Sequence, residues 1–429
     1  MGRWRTWAAV AGILALVAAC APPGAPGSGA GQQAAGPIKA GVLASLTGVS
    51  AASGQDMVNG WNLYWKLNGA TVAGRQLQTL VEDDASEPNT GLTKARQFVE
   101  QQQVDFIVGP LLANIGYAVA DYVKTTGTPT FFPIVAADDL TQRARVDNVI
   151  KVAGWGSSQV THVQGDWAYD QGYRRVLTIC ADYAFGHEVC GGFVRAFTAR
   201  GGQILTQLWF PLNTPDFGSY LAQIPGANPD AVFVLTVGAD SVRFVKQWAE
   251  FGLKDRVPLL ATETMLDQSV LRSMGPEAEG LISLGHWAEG RPARETQDMV
   301  DAYLREYNQL PSYYAAAMFA AAGWIAKAIE RLNGNISDRK AFLDAVRRTE
   351  VSGPFGQQKL DDYGAPILNV YVRQVERRPD GRLWNVPIKT YENVSQFWTF
   401  GADKFLKQPL YSREFQGTPE QLRALGLQP

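Results

Sequence analysis

Strands and helices alternate along this chain at a spacing that predicts an α/β fold. The apolar run IKAGVLASL (38–46) is typical of a buried strand, and Met57, Trp61 and Trp65 then recur every four residues, as on one helix face. Further strand-like runs follow at 77–84, 104–110 and 128–135, with helical stretches between them. This alternation indicates right-handed βαβ units, and therefore a parallel sheet with helices on both faces.

The same pattern restarts in the second part of the chain. Strand-like runs begin at Val149, Arg174, Gln203, Asp230, Val257 and Gly280. Helical stretches follow at 293–309, 312–333 and 337–349, and two more strand-like runs follow at 367–375 and 386–391. A chain of 429 residues is longer than one core usually supports. We therefore predict two doubly wound, Rossmann-like lobes in an α/β fold. The segment 401–429 has no pattern that assigns it to either lobe and is treated as a C-terminal tail.

The N-terminus has the pattern of a secretory signal. Arg3 and Arg5 precede a short apolar run, which ends in the small residues before Cys20. These residues resemble the lipobox of bacterial lipoproteins, which implies a signal peptide at 1–20 and a lipid on Cys20. The alternative is an ordinary signal peptide in which the cysteine occurs by chance. Residues 21–37 are rich in Pro, Gly, Ala and Ser, and predict a disordered linker. We expect an exported protein that only the lipid anchor holds on the membrane.

Composition and motifs argue against several classes of protein. The net charge of −2 indicates no general attraction to nucleic acid. The three histidines, His162, His187 and His286, lie far apart in sequence, so no metal site is predicted. The sequence has no GxSxG elbow, no P-loop and no GxGxxG after a strand. We therefore predict no enzyme, no catalytic residues and no cofactor.

Two cysteines besides Cys20 bear on the redox state of the domain. Cys180 ends a strand-like run, and Cys190 is predicted to begin the next helix. Outside the cytoplasm a disulfide between them can persist. The alternative is two buried free thiols, and the sequence leaves both open because it does not give the Cα separation.

Polar, aromatic and glycine residues recur directly after the predicted strands. In open parallel sheets, ligands bind outside the carboxyl ends of the strands. The loops concerned are 46–54, 109–114, 133–138, 182–186, 237–240 and 262–264. Together they predict one ligand cleft between the two lobes.

Several segments together resemble one family, in order and near their expected spacing. They are SLTGVSAASGQDMVNG (45–60), DFIVGPLLAN (105–114), ADDLTQR (137–143), AGWGSSQ (153–159), DYAFGHE (182–188) and GPFGQQKLDDYG (353–364). From 38 to about 376 the chain resembles the leucine/isoleucine/valine-binding family of type I periplasmic binding proteins, which feed ABC importers. The resemblance implies two lobes joined by a hinge of three crossovers, near 150–154, 284–288 and 351–366. It places the N-lobe at 38–151 and 287–352, and the C-lobe at 152–286 and 366–400.

The resemblance also implies a set of ligand-binding positions. They are Ser53, Asn114, Ile134, Val135, Ala136, Trp155, Tyr183, Phe185, Ala239 and Glu263. Amino-acid-binding members usually have a serine or threonine at position 114, and often a threonine at 136, an acidic residue at 156 and an aromatic at 53. These substitutions remove hydrogen bonds specific for an amino acid and add space.

The roles expected for these residues follow from their chemistry. Asn114 and the backbone at 134–136 would hold a ligand carboxylate or amide. Trp155 and Phe185 would line its apolar part, and Glu263 would accept a positive or hydroxyl group. The run from 155 to 188 is similar to a branch thought to bind aromatic carboxylates. The ligand is thus expected to be amino acid-like, an amide or an aromatic carboxylate.

The predicted function is that of the substrate-binding protein of an ABC importer. It would capture its small-molecule ligand as a monomer and deliver it to a membrane permease. Two alternatives remain from the sequence: a ligand-sensing receptor module, and an extracellular enzyme on the same scaffold.

Overall fold

The computed structural model describes residues 36–428. The predicted signal peptide, the predicted lipidation site at Cys20 and nearly all of the predicted linker at 21–37 lie outside the described residues. Gly36–Pro429 forms one compact unit. None of the helices within 36–428 combines the length and apolar character needed to cross a membrane.

The first lobe is built on a six-stranded sheet. Its strands are β1 (Ile38–Ala44), β2 (Thr71–Val72), β3 (Arg75–Asp83), β4 (Phe106–Val108), β5 (Thr130–Phe131) and β6 (Val149–Ile150). They lie in the order β2-β3-β1-β4-β5-β6, and every neighbouring pair is parallel except β2 with β3. Val42 of the central β1 lies opposite both Val81 and Val108.

The second lobe is built on a nine-stranded sheet. Its strands are β7 (Arg175–Ala181), β8 (Gln203–Phe210), β9 (Ala231–Leu235), β10 (Leu259–Thr262), β11 (Ile282–Gly285), β12 (Val351–Gly353), β13 (Gly356–Leu360), β14 (Pro366–Arg377) and β15 (Leu383–Val394). Strands β7 to β11 form a parallel core, and β14 joins β11 antiparallel, with β13 and β15 paired to β14. The two sheets confirm the predicted two-lobe α/β fold.

Helices cover these sheets. They are α1 (Ala51–Asn68), α2 (Pro88–Arg96), α3 (Ala113–Thr126), α4 (Ser157–Asp170), α5 (Ala184–Ala199), α6 (Gly218–Leu221), α7 (Ile224–Ala227), α8 (Ala239–Glu250), α9 (Gln268–Leu271), α10 (Arg294–Tyr307), α11 (Tyr313–Arg331), α12 (Arg339–Arg347), α13 (Ala402–Phe405) and α14 (Pro419–Ala424). The predicted face of α1, with Met57, Trp61 and Trp65, is buried. Gly60 allows α1 to pack closely on α11, because a Cβ there would lie 2.0 Å from the Ala315 carbonyl oxygen.

The chain passes between the two sheets three times. The crossing segments lie at 151–156 after β6, at 286–293 after β11, and at 348–365 between α12 and β14, where they include the β12–β13 hairpin. Helices α10 and α11 contact α1 and therefore return to the first lobe. This connectivity produces a cleft whose base consists of the three crossing segments.

Some predicted bounds are wrong for local reasons. The strand expected at 128–135 is limited to Thr130–Phe131, because Pro133 has no N–H to donate to a ladder. The last strand is longer than expected and runs over Leu383–Val394. Cys190 does not begin a helix, since α5 already starts at Ala184. Cys180 and Cys190 are joined as a disulfide with a Cα separation of 6.6 Å, which links the end of β7 to α5.

The C-terminal tail packs on α4 and α5. The Tyr411 ring occupies the space beside Gly191, where a Cβ would lie 2.4 Å from the ring. The Tyr411 hydroxyl lies 3.0 Å from Nε2 of the buried His162, and Arg195 donates to the Gly417 carbonyl over 3.0 Å. Burial, with the nearby Arg195 charge, lowers the pKa of His162 to about 3. The tail therefore covers a helix surface that is part of the second lobe's core.

Candidate ligand-binding site

A small cavity lies between the lobes, where loops that follow strands of both sheets meet. In this structure the cavity is partly open to solvent, and the volume that the centre of a water-sized sphere can occupy in it is about 20 Å³. It is lined by Leu111, Leu112, Ala113, Ile134, Ala136, Trp155, Tyr183, Phe185, Val237, Thr264, Tyr313 and Tyr314. Among the described residues, this lining includes no charged side chain.

The first lobe contributes the start of α3 and the loop after β5. Leu112 is the N-cap of α3, and its apolar side chain offers no oxygen to the N–H groups of the first turn. That turn also contains no acidic residue. The positive end of the α3 dipole is thus uncompensated where Leu112 and Ala113 face the cavity.

The second lobe contributes two further helix starts. Tyr183 is the N-cap of α5 and makes no capping hydrogen bond, and Gly238 is the N-cap of α8. Gly238 has φ 54°, and a Cβ there would lie 2.2 Å from the Val49 carbonyl oxygen of the first lobe. Only glycine therefore allows this loop to approach the first lobe so closely. Residues at the N-termini of α3 and α5, together with Val237 just before α8, thus line one cavity. The first turn of α8 already contains the buried acid Asp240.

Aromatic rings form the remaining wall. Trp155 lies 5.6 Å from Phe185 and 5.8 Å from Tyr313, edge to face in both pairs. The Trp155 Nε1 is buried and has no hydrogen-bond partner among residues 36–428. Burial, with the neighbouring tyrosine and acidic groups, raises the pKa values of Tyr313 and Tyr314 well above their usual range, so both hydroxyls are neutral.

Five predicted site residues line the cavity, namely Ile134, Ala136, Trp155, Tyr183 and Phe185. Asn114 is not part of the lining but lies next to Ala113 on the first turn of α3, and its buried Oδ1 has no hydrogen-bond partner in the described part of the chain.

The other predicted positions lie outside the lining. Val135 is fully buried beside Gly116, where a Cβ would meet its side chain at 2.5 Å. The Ser53 Oγ lies 2.9 Å from the Ser269 Oγ of the second lobe. Ala239 is exposed at the start of α8. The structure therefore does not bring these three side chains to the cavity.

Glu263 has a different role from the predicted one. Its Oε2 accepts from the backbone N–H and the Nδ1 of His286, over 3.0 and 2.6 Å. Its Oε1 accepts from the Trp287 N–H and from Arg373, over 3.0 and 3.3 Å. Burial alone would raise the pKa of Glu263, but His286 and Arg373 outweigh it and hold that pKa below its usual value. With both oxygens bound inside the protein, the predicted ligand contact has no geometric support.

The lobes contact each other across the cleft through residues that sequence reasoning missed. Arg272 donates to Asp56 over 2.9 Å, and the Tyr117 hydroxyl donates to Glu188 over 2.7 Å. Glu188 also accepts from the Asp138 N–H over 3.0 Å. Burial first, and then the nearby Asp138 charge, raise the pKa of Glu188 to about 8. These contacts hold the lobes together around the cavity.

Tyr313 and Tyr314 were also missed as site residues. The sequence predicted a helical stretch at 312–333, and both tyrosines are buried on α11. A sequence signal was present, since they form a pair directly after Pro311 and Ser312 at a helix start. Within 36–428, no group of three or more His, Cys, Asp or Glu side chains is arranged to hold a metal ion.

Two α/β lobes that close over a small cavity define a class of binding proteins that enclose their ligand by lobe closure. The sequence model of a family described as periplasmic binding protein matches residues 37–382. The chain belongs to this family, in its Leu/Ile/Val-binding branch, and is a solute-binding protein of the ABC transporter type.

Individual relatives agree with this assignment. An ABC transporter substrate-binding protein from Sphaerobacter thermophilus is 31% identical with a TM-score of 0.78, over 84% of this chain and 99% of that one. A solute-binding protein from Rhodopseudomonas palustris BisB5, in complex with 3,4-dihydroxybenzoic acid, is 27% identical with a TM-score of 0.80, over 84% and 98%. A Leu/Ile/Val-binding protein homolog from Brucella melitensis is 24% identical over 362 residues, covering 83% of this chain and 92% of that protein.

Proposed function

We propose that this protein captures a small aromatic carboxylate for import. The observation that carries the proposal is a cavity with aromatic walls, no charged side chain in its lining among the described residues, and the N-termini of α3 and α5 at its edge, neither with an acidic residue in its first turn. Helix N-termini favour anions, because their free N–H groups and dipoles present positive charge. The buried, unpartnered Trp155 Nε1 adds a further donor.

The same geometry disfavours an α-amino acid. Its ammonium needs an acidic partner, and leaving a charge unpaired on burial is costly. The acid expected for this role, Glu263, is bound to His286, Trp287 and Arg373. A benzoate-like ligand carries only the negative charge that the helix N-termini favour, and its ring fits the wall of Trp155, Phe185 and the tyrosines. The binding of 3,4-dihydroxybenzoic acid by the Rhodopseudomonas palustris relative supports this ligand class.

The cellular role follows from the family and the N-terminal sequence. The exported chain would be held at the extracytoplasmic face of the membrane by lipid on Cys20 and would act as a monomer. Lobe closure would exclude water around the ligand, and a membrane permease would recognise the closed form. The protein would bind its ligand without chemical change.

A thermal-shift series on residues 36–429 tests the ligand class. Benzoate and 4-hydroxybenzoate should raise the melting temperature, since a ligand at 100 times its Kd adds about 2.7 kcal/mol to the free energy of unfolding. Benzamide keeps the ring without the charge, and cyclohexanecarboxylate keeps the charge without the aromatic ring. Both compounds should raise the melting temperature less than the benzoates do. A shift with L-leucine and none with the benzoates would contradict the proposal. Chromatography of the recovered ligand should show it unchanged.

A further inference from the structure

Each of the three crossing segments contributes one ring to a continuous stack at the hinge. Trp155 lies on the first segment, His286 on the second and Phe355 on the third. The His286 ring is stacked with Trp155 at 5.1 Å and 19°, and with Phe355 at 5.2 Å and 5°. Because these segments are the chain connections between the lobes in the part of the chain that the structure describes, a change in hinge angle displaces the three rings relative to one another.

The central ring of this stack is fixed at its edge. His286 is buried, and its Nδ1 lies 2.6 Å from the Glu263 carboxylate. That carboxylate is itself held by Trp287 and Arg373. These contacts fix the orientation of the His286 ring, whose face stacks on Trp155.

The ligand-facing end of the stack is Trp155. Its ring lines the cavity, and its Nε1–H, which can only donate, is buried without a partner among the residues that the structure describes. The His286 ring is not part of the cavity lining. Any effect of His286 on a ligand must therefore pass through another residue.

We propose that His286 is a positioning residue, which, through the hinge stack, aims the Trp155 N–H at an oxygen of the bound ligand and ties that hydrogen bond to lobe closure. The inference rests on the proposed function for its ligand class. Tight binding then requires the closed arrangement of all three crossing segments, because only that arrangement places the Trp155 donor correctly.

Four variants of residues 36–429 separate the parts of the stack. Trp155→Phe keeps a ring and removes the donor. His286→Asn keeps a donor near Glu263 and removes the ring, whereas His286→Phe keeps a ring and removes the donor. Phe355→Leu removes the ring at the end of the stack opposite Trp155. It replaces the His286 variants in the experiment if either of them fails to fold.

Calorimetric titration with 4-hydroxybenzoate is the first readout. Trp155→Phe should weaken binding by about tenfold to a hundredfold, the range for one hydrogen bond to a charged group. His286→Asn and Phe355→Leu should weaken it severalfold in the wild-type background and have no further effect in the Trp155→Phe background. His286→Phe, which keeps a ring, should bind 4-hydroxybenzoate with most of the wild-type affinity that His286→Asn loses. Equal effects of His286→Asn in both backgrounds would overturn the proposal, because they would show that His286 acts independently of Trp155.

The near-UV circular dichroism of the ligand-free protein is the second readout. His286→Asn should change the tryptophan signal, and this change should vanish when Trp155 is already Phe. An unchanged signal would overturn the positioning role. This measurement does not depend on ligand class, so it distinguishes a failed stack from a protein that binds no benzoate, which would contradict the proposed function instead.

Discussion

Arg272 of the second lobe donates a hydrogen bond of 2.9 Å to Asp56 of the first lobe. Asp56 is almost completely buried, and it also accepts from the Tyr303 hydroxyl over 3.1 Å. Burial raises the pKa of Asp56, and the Arg272 charge opposes that effect. Neither residue lines the ligand cavity, so this ion pair stabilises the closed state without contacting the ligand.

Arg272→Gln should therefore accelerate ligand release. The variant loses a charge-assisted contact that exists only when the lobes meet, and we expect Kd to rise about tenfold, mainly through the dissociation rate. Stopped-flow fluorescence with 4-hydroxybenzoate measures that rate. Arg200→Gln is the matched control, because Arg200 pairs with Asp170 within the second lobe and should leave the rate unchanged. Equal dissociation rates for wild type and Arg272→Gln would show that the ion pair does not hold the lobes closed.

The disulfide between Cys180 and Cys190 should contribute measurably to stability. It closes a loop between residues ten positions apart, for which chain entropy gives about 3 kcal/mol. The double variant Cys180→Ala/Cys190→Ala should lower the free energy of unfolding by about that amount in urea denaturation. A reducing agent should destabilise the wild type and have no effect on the double variant. If the two proteins unfold at the same urea concentration, the disulfide does not contribute to the free energy of unfolding.

The stability should depend on pH through Glu188. Its pKa rises from the usual 4.5 to about 8 on folding, so the folded state holds the proton more tightly than the unfolded state. The free energy of unfolding should therefore fall as the pH rises from about 4.5 to about 8, and the contribution of Glu188 should level off above that.

Glu188→Gln tests this pH dependence directly. The amide remains neutral at every pH and can still accept from the Tyr117 hydroxyl, so the variant should lose less stability than wild type between pH 5 and 9. Urea denaturation across this range measures the difference. Parallel curves for the two proteins would mean that Glu188 does not retain its proton in the folded state.

The C-terminal tail should stabilise the second lobe through Tyr411. Removing its buried ring with Tyr411→Ala leaves a void beside Gly191, and we expect a loss of about 3–5 kcal/mol in the free energy of unfolding. Tyr411→Phe removes only the hydroxyl near His162 and should cost about 1 kcal/mol. Chemical denaturation compares the two. A negligible effect of Tyr411→Ala would show that the tail is not part of the lobe's core.

Much of the fold could be predicted because the core strands are long, apolar and regularly spaced. The runs around Val42 and Ile179 are buried strands, as expected. The register of Thr130–Phe131 could not be predicted, because a strand of two residues is defined by its neighbours rather than by its own pattern. The tail escaped prediction for a related reason, since its aromatic residues pack on α4 and α5 and follow no period of their own.

The site was harder to predict than the fold. Five of the six predicted loops contribute to one cavity, which Trp155 and Phe185 also line, but the loop 46–54 contributes no residue to its lining. The role expected of Glu263 came from the resemblance, but the nearby His286 and Arg373 bind both of its oxygens, and no sequence pattern shows such long-range pairing. The contact of Asp56 with Arg272 spans 216 positions and was likewise not visible in the sequence.

Calorimetric titration of residues 36–429 with 4-hydroxybenzoate and, separately, with L-leucine tests the central claim most directly. We predict saturable one-site binding of 4-hydroxybenzoate with a negative heat-capacity change, because its ring becomes buried against Trp155 and Phe185. L-leucine should give no binding, since none of the described residues that line the cavity has an acidic side chain to pair its ammonium. Tight binding of L-leucine without binding of 4-hydroxybenzoate would contradict this account of the cavity.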